Sequence, residues 1–240
     1  MDRGALDRFL TCTNIAPTRS HFVPRTMGFM RGVEQIPWLY DALMGLADVL
    51  GFRGWRRRLV AGARGRVLEM GCGTGRDLPF YPDPQQVVAL DPDRAALRRA
   101  RERAPGALFV VARAEALPFA DTQFDTVVSG LVFCSVADPP AGLREIRRVL
   151  RAEGQLRMLE HVRHRRPSLA WLQDRVQPAW TCVTGGCHPN RDTEAAVEQA
   201  GFVIEAEDRV ARGVMRRFAA RPGPGYAQEV QAEEKISSEP

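Results

Sequence analysis

From about residue 65 to 220 the chain alternates short apolar runs with stretches whose apolar residues recur every three or four positions. Val67-Leu68-Glu69-Met70 is the first run and leads directly into Gly71-Cys72-Gly73-Thr74-Gly75. Residues 86–90 form a second run, closed by Asp91. Asp93 is placed to cap a helix through Arg103, because an aspartate oxygen accepts from the free N–H groups of a first turn; Pro105 and Gly106 end it. Further strands are expected at 108–111, 124–129, 155–159 and 202–204, and near 213–220. Helices are expected over 140–151, where Leu143, Ile146, Val149 and Leu150 share one side, and over 190–200, stopped by Gly201. Strands alternating with helices predict an α/β fold with a mostly parallel sheet covered on both faces. Ligands of such sheets bind beyond the carboxyl ends of the strands, at the switch point beside the first.

The flanks differ. In residues 1–64, Leu39, Leu43, Leu46 and Leu50 recur at helical spacing before Arg56-Arg57-Arg58, which predicts one or two amphipathic helices acting as a lid or a prop. Phe22, Phe29, Trp38 and Tyr40 belong to the same segment, and Tyr40-Asp41 is the part expected nearest a ligand. From Arg221, Pro222, Gly223, Pro224 and Gly225 precede a polar run, so 221–240 is expected to be a disordered tail.

A hydrophobic fraction of 45% with 26% charged residues is that of a chain with a real core and excludes fibrous and wholly disordered classes. The net charge of +5 comes from 34 basic residues, all arginine but Lys235. Acids interleave with these arginines, so the charge reads as solvated helix faces rather than a nucleic-acid footprint, and it leaves room for peripheral contact with an anionic membrane. Five scattered cysteines (Cys12, Cys72, Cys134, Cys182 and Cys187) argue against a disulfide framework and for a reducing compartment. Charged residues break any signal-peptide core, and no run of 18 apolar residues exists. The expected location is cytoplasmic.

The glycine loop carries the chemistry. Glycines at 71, 73 and 75 let the backbone approach a ligand at distances that a Cβ would forbid. Glu69, just before the loop, can pair with a cation, and Asp91 can accept hydrogen bonds from ribose hydroxyls. Together they suggest an adenosine-like ligand whose other end is cationic. A dinucleotide fingerprint needs Gly or Ala where this chain has Arg76.

Residues 67–75, Asp91, Glu115-Ala-Leu-Pro-Phe and Phe124-Asp125-x-Val-Val resemble the S-adenosylmethionine-dependent methyltransferases, over about residues 40–210. That resemblance implies a Rossmann-like three-layer sandwich with a mostly parallel seven-stranded sheet, here with an N-terminal helical lid. It implies S-adenosyl-L-methionine as cofactor, with Glu69, Gly71, Cys72, Gly73 and Gly75 flanking the methionine moiety and Asp91, followed by Pro92, holding the ribose. Ala114 and Glu115 would border the adenine, where relatives often carry an acid in place of Arg113, and Leu131, Val132 and Phe133 would wall the sulfonium. Glu160-His161-Val162, Trp171, Trp180, Gly185-Gly186-Cys187 and Asn190-Arg191-Asp192-Thr193 are similar to the methyltransferase-like proteins that include alkyl-thiol methyltransferases.

The acceptor is accordingly expected to be small and hydrophobic: a thiol, a lipid amine or a quinone precursor. His161 is the candidate catalytic base, with Glu160 orienting it or the acceptor, because imidazole titrates near neutral pH. Cys187 and His188 offer a second polar edge, and Cys72 and Cys134 read as packing. Cys182, Cys187, His188 and His161 lack a structural-zinc spacing, so no metal is expected. Two other functions are kept open: a non-catalytic cofactor-binding module, and a nucleic-acid methyltransferase, although Gly130-Leu131-Val132-Phe133 lacks the amide such enzymes aim at a base.

Overall fold

The computed structural model describes residues 32–83 and 86–226. Phe22, Phe29, Cys12 and residues 227–240 therefore lie outside the described residues. Eight strands form one sheet: β1 (Val67–Met70), β2 (Val87–Leu90), β3 (Leu108–Val110), β4 (Phe124–Gly130), β5 (Leu150–His161), β6 (Phe202–Ile204), β7 (Val210–Arg212) and β8 (Met215–Pro222). Their order is β3-β2-β1-β4-β5-β8-β6, with β7 on β8. The first five strands run parallel, and β8 is antiparallel to β5 and to β6. The order reverses beside β1, so the switch-point cleft opens where the glycine loop leaves that strand.

Among the described residues six helices flank the sheet: α1 (Pro37–Ala47), α2 (Arg53–Val60), α3 (Arg94–Arg103), α4 (Pro139–Val149), α5 (Pro167–Thr184) and α6 (Thr193–Gln199). Successive strand residues point to opposite faces. Leu68 and Met70 meet Leu143, Ile146 and Val149 of α4 and Val197 of α6 in one core. Val67 joins Leu59 and Val60 of α2 and Leu97 and Ala100 of α3 in the other. These are the three layers the alternation predicts. The side chain of Glu69 follows Val67 toward the α2 layer, where Arg56, Asp77 and Tyr81 surround it.

Buried arginines join sheet to helix. On β5, Arg157 Nε donates to Leu59 O at 2.7 Å and Nη2 to Arg58 O at 3.3 Å, while Arg217 Nη1 on β8 also reaches Arg58 O at 3.3 Å. Two guanidinium groups thus satisfy the unpaired carbonyls ending α2, where the helix dipole favours positive charge.

Three expectations change. The α1 stripe does not face the sheet: Leu43, Leu46 and Leu50 are exposed, and Gly51 (φ 113°) turns the chain between α1 and α2. Helix α5 went unrecognised, since Pro178 lies within it and its apolar residues Leu169, Trp171, Leu172, Val176 and Trp180 stay exposed. The segment after Arg221 does not leave the fold at once. Arg221 and Pro222 belong to β8, and the buried Tyr226 donates from its hydroxyl to Leu150 O (3.1 Å) and Arg147 O. An aromatic side chain with a carbonyl partner docks where composition alone predicts disorder. Among the described residues no helix is long and apolar enough to cross a membrane.

Removing that docking should be costly. Tyr226→Ala is expected to lower unfolding free energy by about 3 kcal/mol in urea denaturation, and an unchanged midpoint would show that the ring contributes nothing.

Candidate active site

The loop after β1 is built around three glycines with positive φ (62°, 53° and 77° at Gly71, Gly73 and Gly75). A Cβ at Gly71 would come within 2.5 Å of Val132, but one at Gly73 would meet nothing within 4 Å. The middle glycine therefore borders open space, as a ligand cradle requires. Its N–H donates to Asp91 Oδ2 at 2.8 Å, and the Asp93 N–H donates to Asp91 Oδ1 at 2.8 Å. Asp91 thus ties the glycine loop to the start of α3 with one bond per oxygen. Each oxygen keeps a lone pair for a further donor such as a ribose hydroxyl. Burial raises its carboxyl above the usual range, opposed by those N–H groups of Asp93 and Gly73. Pro92, between the two aspartates, is exposed.

Glu69 is buried, and its Oε2 has no hydrogen-bond partner. Burial, reinforced by Asp77, pushes its carboxyl well above the usual range, while Tyr81 and Arg56 pull the other way. The nearby Cys72 thiol is raised by burial and by the carboxylates of Glu69, Asp91 and Asp77. These three acids are placed to give the loop a negative potential wherever they are ionised. A cationic ligand end would relieve the cost of the uncompensated Glu69 oxygen, so the donor set fits a positively charged nucleoside.

The N-terminal helices act on this loop as a prop. Asp41 on α1 accepts from Thr74 Oγ1 at 2.7 Å and pairs with Arg99 and Arg103 of α3 at 3.0 and 2.9 Å. Burial pushes its carboxyl up, but Arg103, Thr74 and Arg99 outweigh that and hold it low. Arg56, itself buried, bridges Asp77 at 2.8 Å and Asp48 at 3.1 Å. Asp41 therefore touches the loop directly, and Asp48 and Arg56 reach Arg76 and Asp77 just after it. Asp77 and Arg56 were missed, although Asp77 stands only two residues after Gly75.

Beyond β4, Leu131 adopts a positive φ of 60°, and Glu160 explains why the turn holds. Glu160 Oε1 accepts from Ser129 Oγ (3.1 Å), Val132 N (3.0 Å) and Phe133 N (3.1 Å). Fully enclosed, Glu160 is pushed up to about 7 by burial, against the N–H groups of Phe133 and Val132. Its Oε1 thus braces the loop after β4, while its buried Oε2 has no hydrogen-bond partner. Phe133, expected with Leu131 and Val132 as a wall residue, is 1% exposed and lies in the core. Glu115 is engaged within the chain. Its Oε1 accepts from Ala137 N (3.1 Å) and Asp138 N (3.3 Å) before α4, and Oε2 lies 3.6 Å from Arg113. Ala114 is buried in the same core as Phe133.

His161 ends β5, partly buried, and its Nδ1 has no hydrogen-bond partner. Around it, His188 N donates to Cys134 O at 2.7 Å, and Arg191 Nη1 donates to Phe133 O (2.6 Å) and Val136 O (2.7 Å). These bonds carry the 186–191 segment onto the loop after β4. There Cys134, His161 and Cys187 place one ligand-capable atom each within 4.8 Å of one another. Hydrogen bonds from Cys134, then from His161 and Trp180, outweigh burial and bring the Cys187 thiol down to about 4, while Cys134 is raised. His188 Nδ1 is instead occupied by Gly186 O at 2.7 Å, and Trp171 and Trp180 are substantially exposed. A separate hollow of about 260 Å³, lined by Phe133, Pro140, Arg191 and Thr193 among others, includes no glycine-loop residue.

A family model described as a methyltransferase domain matches residues 68–158. Human thiol S-methyltransferase TMT1B is 39% identical over 158 residues, 60% of this chain and 63% of that protein. Demethylmenaquinone methyltransferase of Roseiflexus castenholzii is 36% identical over 193 residues, 74% of this chain and 78% of that protein. The chain spans about three fifths of the length of the curated thiol methyltransferases it matches. A crystal structure of a SAM-dependent methyltransferase from Thermotoga maritima shares the fold at TM-score 0.62 and 19% identity, covering 78% of this chain and 96% of that one.

Two outcomes are expected of this cradle. Asp91→Ala should weaken S-adenosylmethionine binding by about 1.5–3 kcal/mol in titration calorimetry, and unchanged affinity would refute the ribose assignment. A cation beside Glu69 favours its ionised form, so binding should release a proton near that carboxyl's pKa. Affinity should then rise with pH until Glu69 is already ionised in the free protein. Calorimetry in buffers of different ionisation enthalpy reads that proton, and Glu69→Gln should abolish it.

Proposed function

Because the chain belongs to the S-adenosylmethionine-dependent methyltransferases, we propose that it methylates a small hydrophobic acceptor, with a thiol in first place. The observation that carries this reading is the partly buried His161 ring at the end of β5, with its unpartnered Nδ1 beside the 131–134 loop. When bound, the cofactor supplies an electrophilic methyl group on a positively charged sulfur. The chain's own residues do the rest. Asp91 holds the ribose, and Glu69 supplies negative charge. Glu160 pins the peptides of Val132 and Phe133, and so fixes the wall that borders the reacting centre. Holding the nucleophile in line with the methyl carbon in a dry pocket is the main source of acceleration for such a displacement. A thiol must also lose its proton, and His161 is the ionisable side chain placed to receive it.

The curated thiol methyltransferases support sulfur as the acceptor atom. A quinone precursor is the second reading, favoured by the greater coverage of the demethylmenaquinone enzyme. The exposed apolar side chains of α5, among them Trp171, Leu172 and Trp180, suit the approach of either acceptor. A mainly nucleic-acid acceptor has no support in the site.

The test is transfer of isotopic label from S-adenosylmethionine to a panel of hydrophobic thiols, lipid amines and quinone precursors, read by mass spectrometry. Labelled thioether is the expected product. Label only on carbon of the quinone precursor would replace this reading with the second one. His161→Ala should lower kcat for the thiol at least about tenfold and leave cofactor affinity unchanged, and a fully active variant would reduce His161 to scaffold.

A further inference from the structure

Cys134 follows β4, His161 ends β5 and Cys187 follows α5, yet their ligand-capable atoms converge to within 4.8 Å. We propose that Cys134, His161 and Cys187 bind one zinc ion whose fourth position is open to the acceptor. The metal site stands on these residues alone; only the occupant of the fourth position rests on the thiol reading above, where the metal, and not His161, would then strip the acceptor of its proton.

The donor set selects the metal. Two thiolates and an imidazole suit zinc, whereas calcium and magnesium take oxygen ligands. Three protein ligands with one position left over is the arrangement of catalytic zinc sites, while structural sites fill all four. Zinc bonds of about 2.3 Å to sulfur and about 2.0 Å to nitrogen place tetrahedral ligand atoms about 3.5–3.8 Å apart. The side chains therefore need to close by at most about 1.0–1.3 Å. The Cys187 side has that freedom: it follows Gly185 and Gly186, and a Cβ at Gly186 would meet nothing within 4 Å.

The enclosed His161 Nδ1 has no partner, although buried polar atoms nearly always have one. Supporting bonds surround the ligands, as zinc sites require. Ser135 Oγ lies 3.7 Å from Cys134 Sγ and donates to Glu34 Oε2 at 3.1 Å, and Thr181 Oγ1 donates to Cys187 O at 2.8 Å. Glu34 is thereby held at the rim of the cluster. On binding, each ligating thiol that still carries a proton gives it to solvent, and no electron moves. An acceptor thiol taking the fourth position would lose its proton in the same way and stay bound as thiolate. Sequence spacing hid the site because Cys134 lies 53 residues before Cys187. Cys182 and His188, which local spacing brings to mind, do not take part.

The test uses the full chain, reduced and stripped with a chelator, then titrated with zinc against a chromophoric competitor. One equivalent should resist the competitor, and cobalt in its place should give a near-ultraviolet thiolate-to-metal band. Cys134→Ser and Cys187→Ser should each lose about half of that band and weaken zinc binding at least about tenfold, while Cys182→Ser should keep both. Absence of a competitor-resistant equivalent in the unmodified chain overturns the proposal whether or not the variants fold. So does equal loss of the band in Cys182→Ser, or a Cys134–Cys187 disulfide, seen as a mass two hydrogens lighter, in protein purified without reductant. Label transfer to thiols without bound metal would remove this inference and leave the methyl-transfer reading; bound metal without transfer would do the reverse.

Discussion

The carboxylate of Asp91 is where sheet, glycine loop and helix meet. It ends β2, accepts the N–H of Gly73 from the loop after β1, and accepts the N–H of Asp93 where α3 begins. An acid so bound costs energy to bury, and its raised pKa reflects that cost. Both bonds leave one side of the group unspent. The loop is therefore fixed in a shape whose remaining polar capacity points outward, which is what pre-organised recognition of a sugar needs.

The same logic extends across the α2 layer. Glu69, Asp77 and Asp91 converge on the loop, and arginines offset them from outside: Arg56 on Asp77, and Arg99 and Arg103 on Asp41. No such partner reaches Glu69 Oε2. Charge is thus paired around the periphery, while this buried oxygen is left without a hydrogen bond, a place that a cationic ligand end would suit. On the other side of the cleft, Glu160 uses one oxygen on two backbone N–H groups and Ser129, which fixes the loop after β4.

Much of the fold was legible because strand burial and helix capping are local. Val67–Met70 is buried at every position, and Asp93 caps α3 through Ala95 N as its position foretold. The glycine loop and Asp91 were legible for the same reason: adjacent residues make the signal. What stayed hidden depends on distant contacts. Glu160 and His161 are neighbours in sequence, yet only Glu160 is fully enclosed, bound to the peptides of Val132 and Phe133. Phe133 reads as a cleft residue and is core because α4 packs on it, close to Gly142. Helix α5 hid because its apolar residues face outward, so periodicity gave no buried stripe. The cysteine–histidine cluster draws on three separated segments and has no local signature at all.

The central claim is that the loop between β1 and Asp91 seats a cationic nucleoside, and backbone amide NMR of the full chain titrated with S-adenosylhomocysteine addresses it most directly. Saturable shifts concentrated at Gly71, Gly73, Gly75, Asp91 and Asp93 are predicted. Shifts confined to the hollow lined by Phe133, Pro140 and Thr193, or no saturable shift at all, would contradict it.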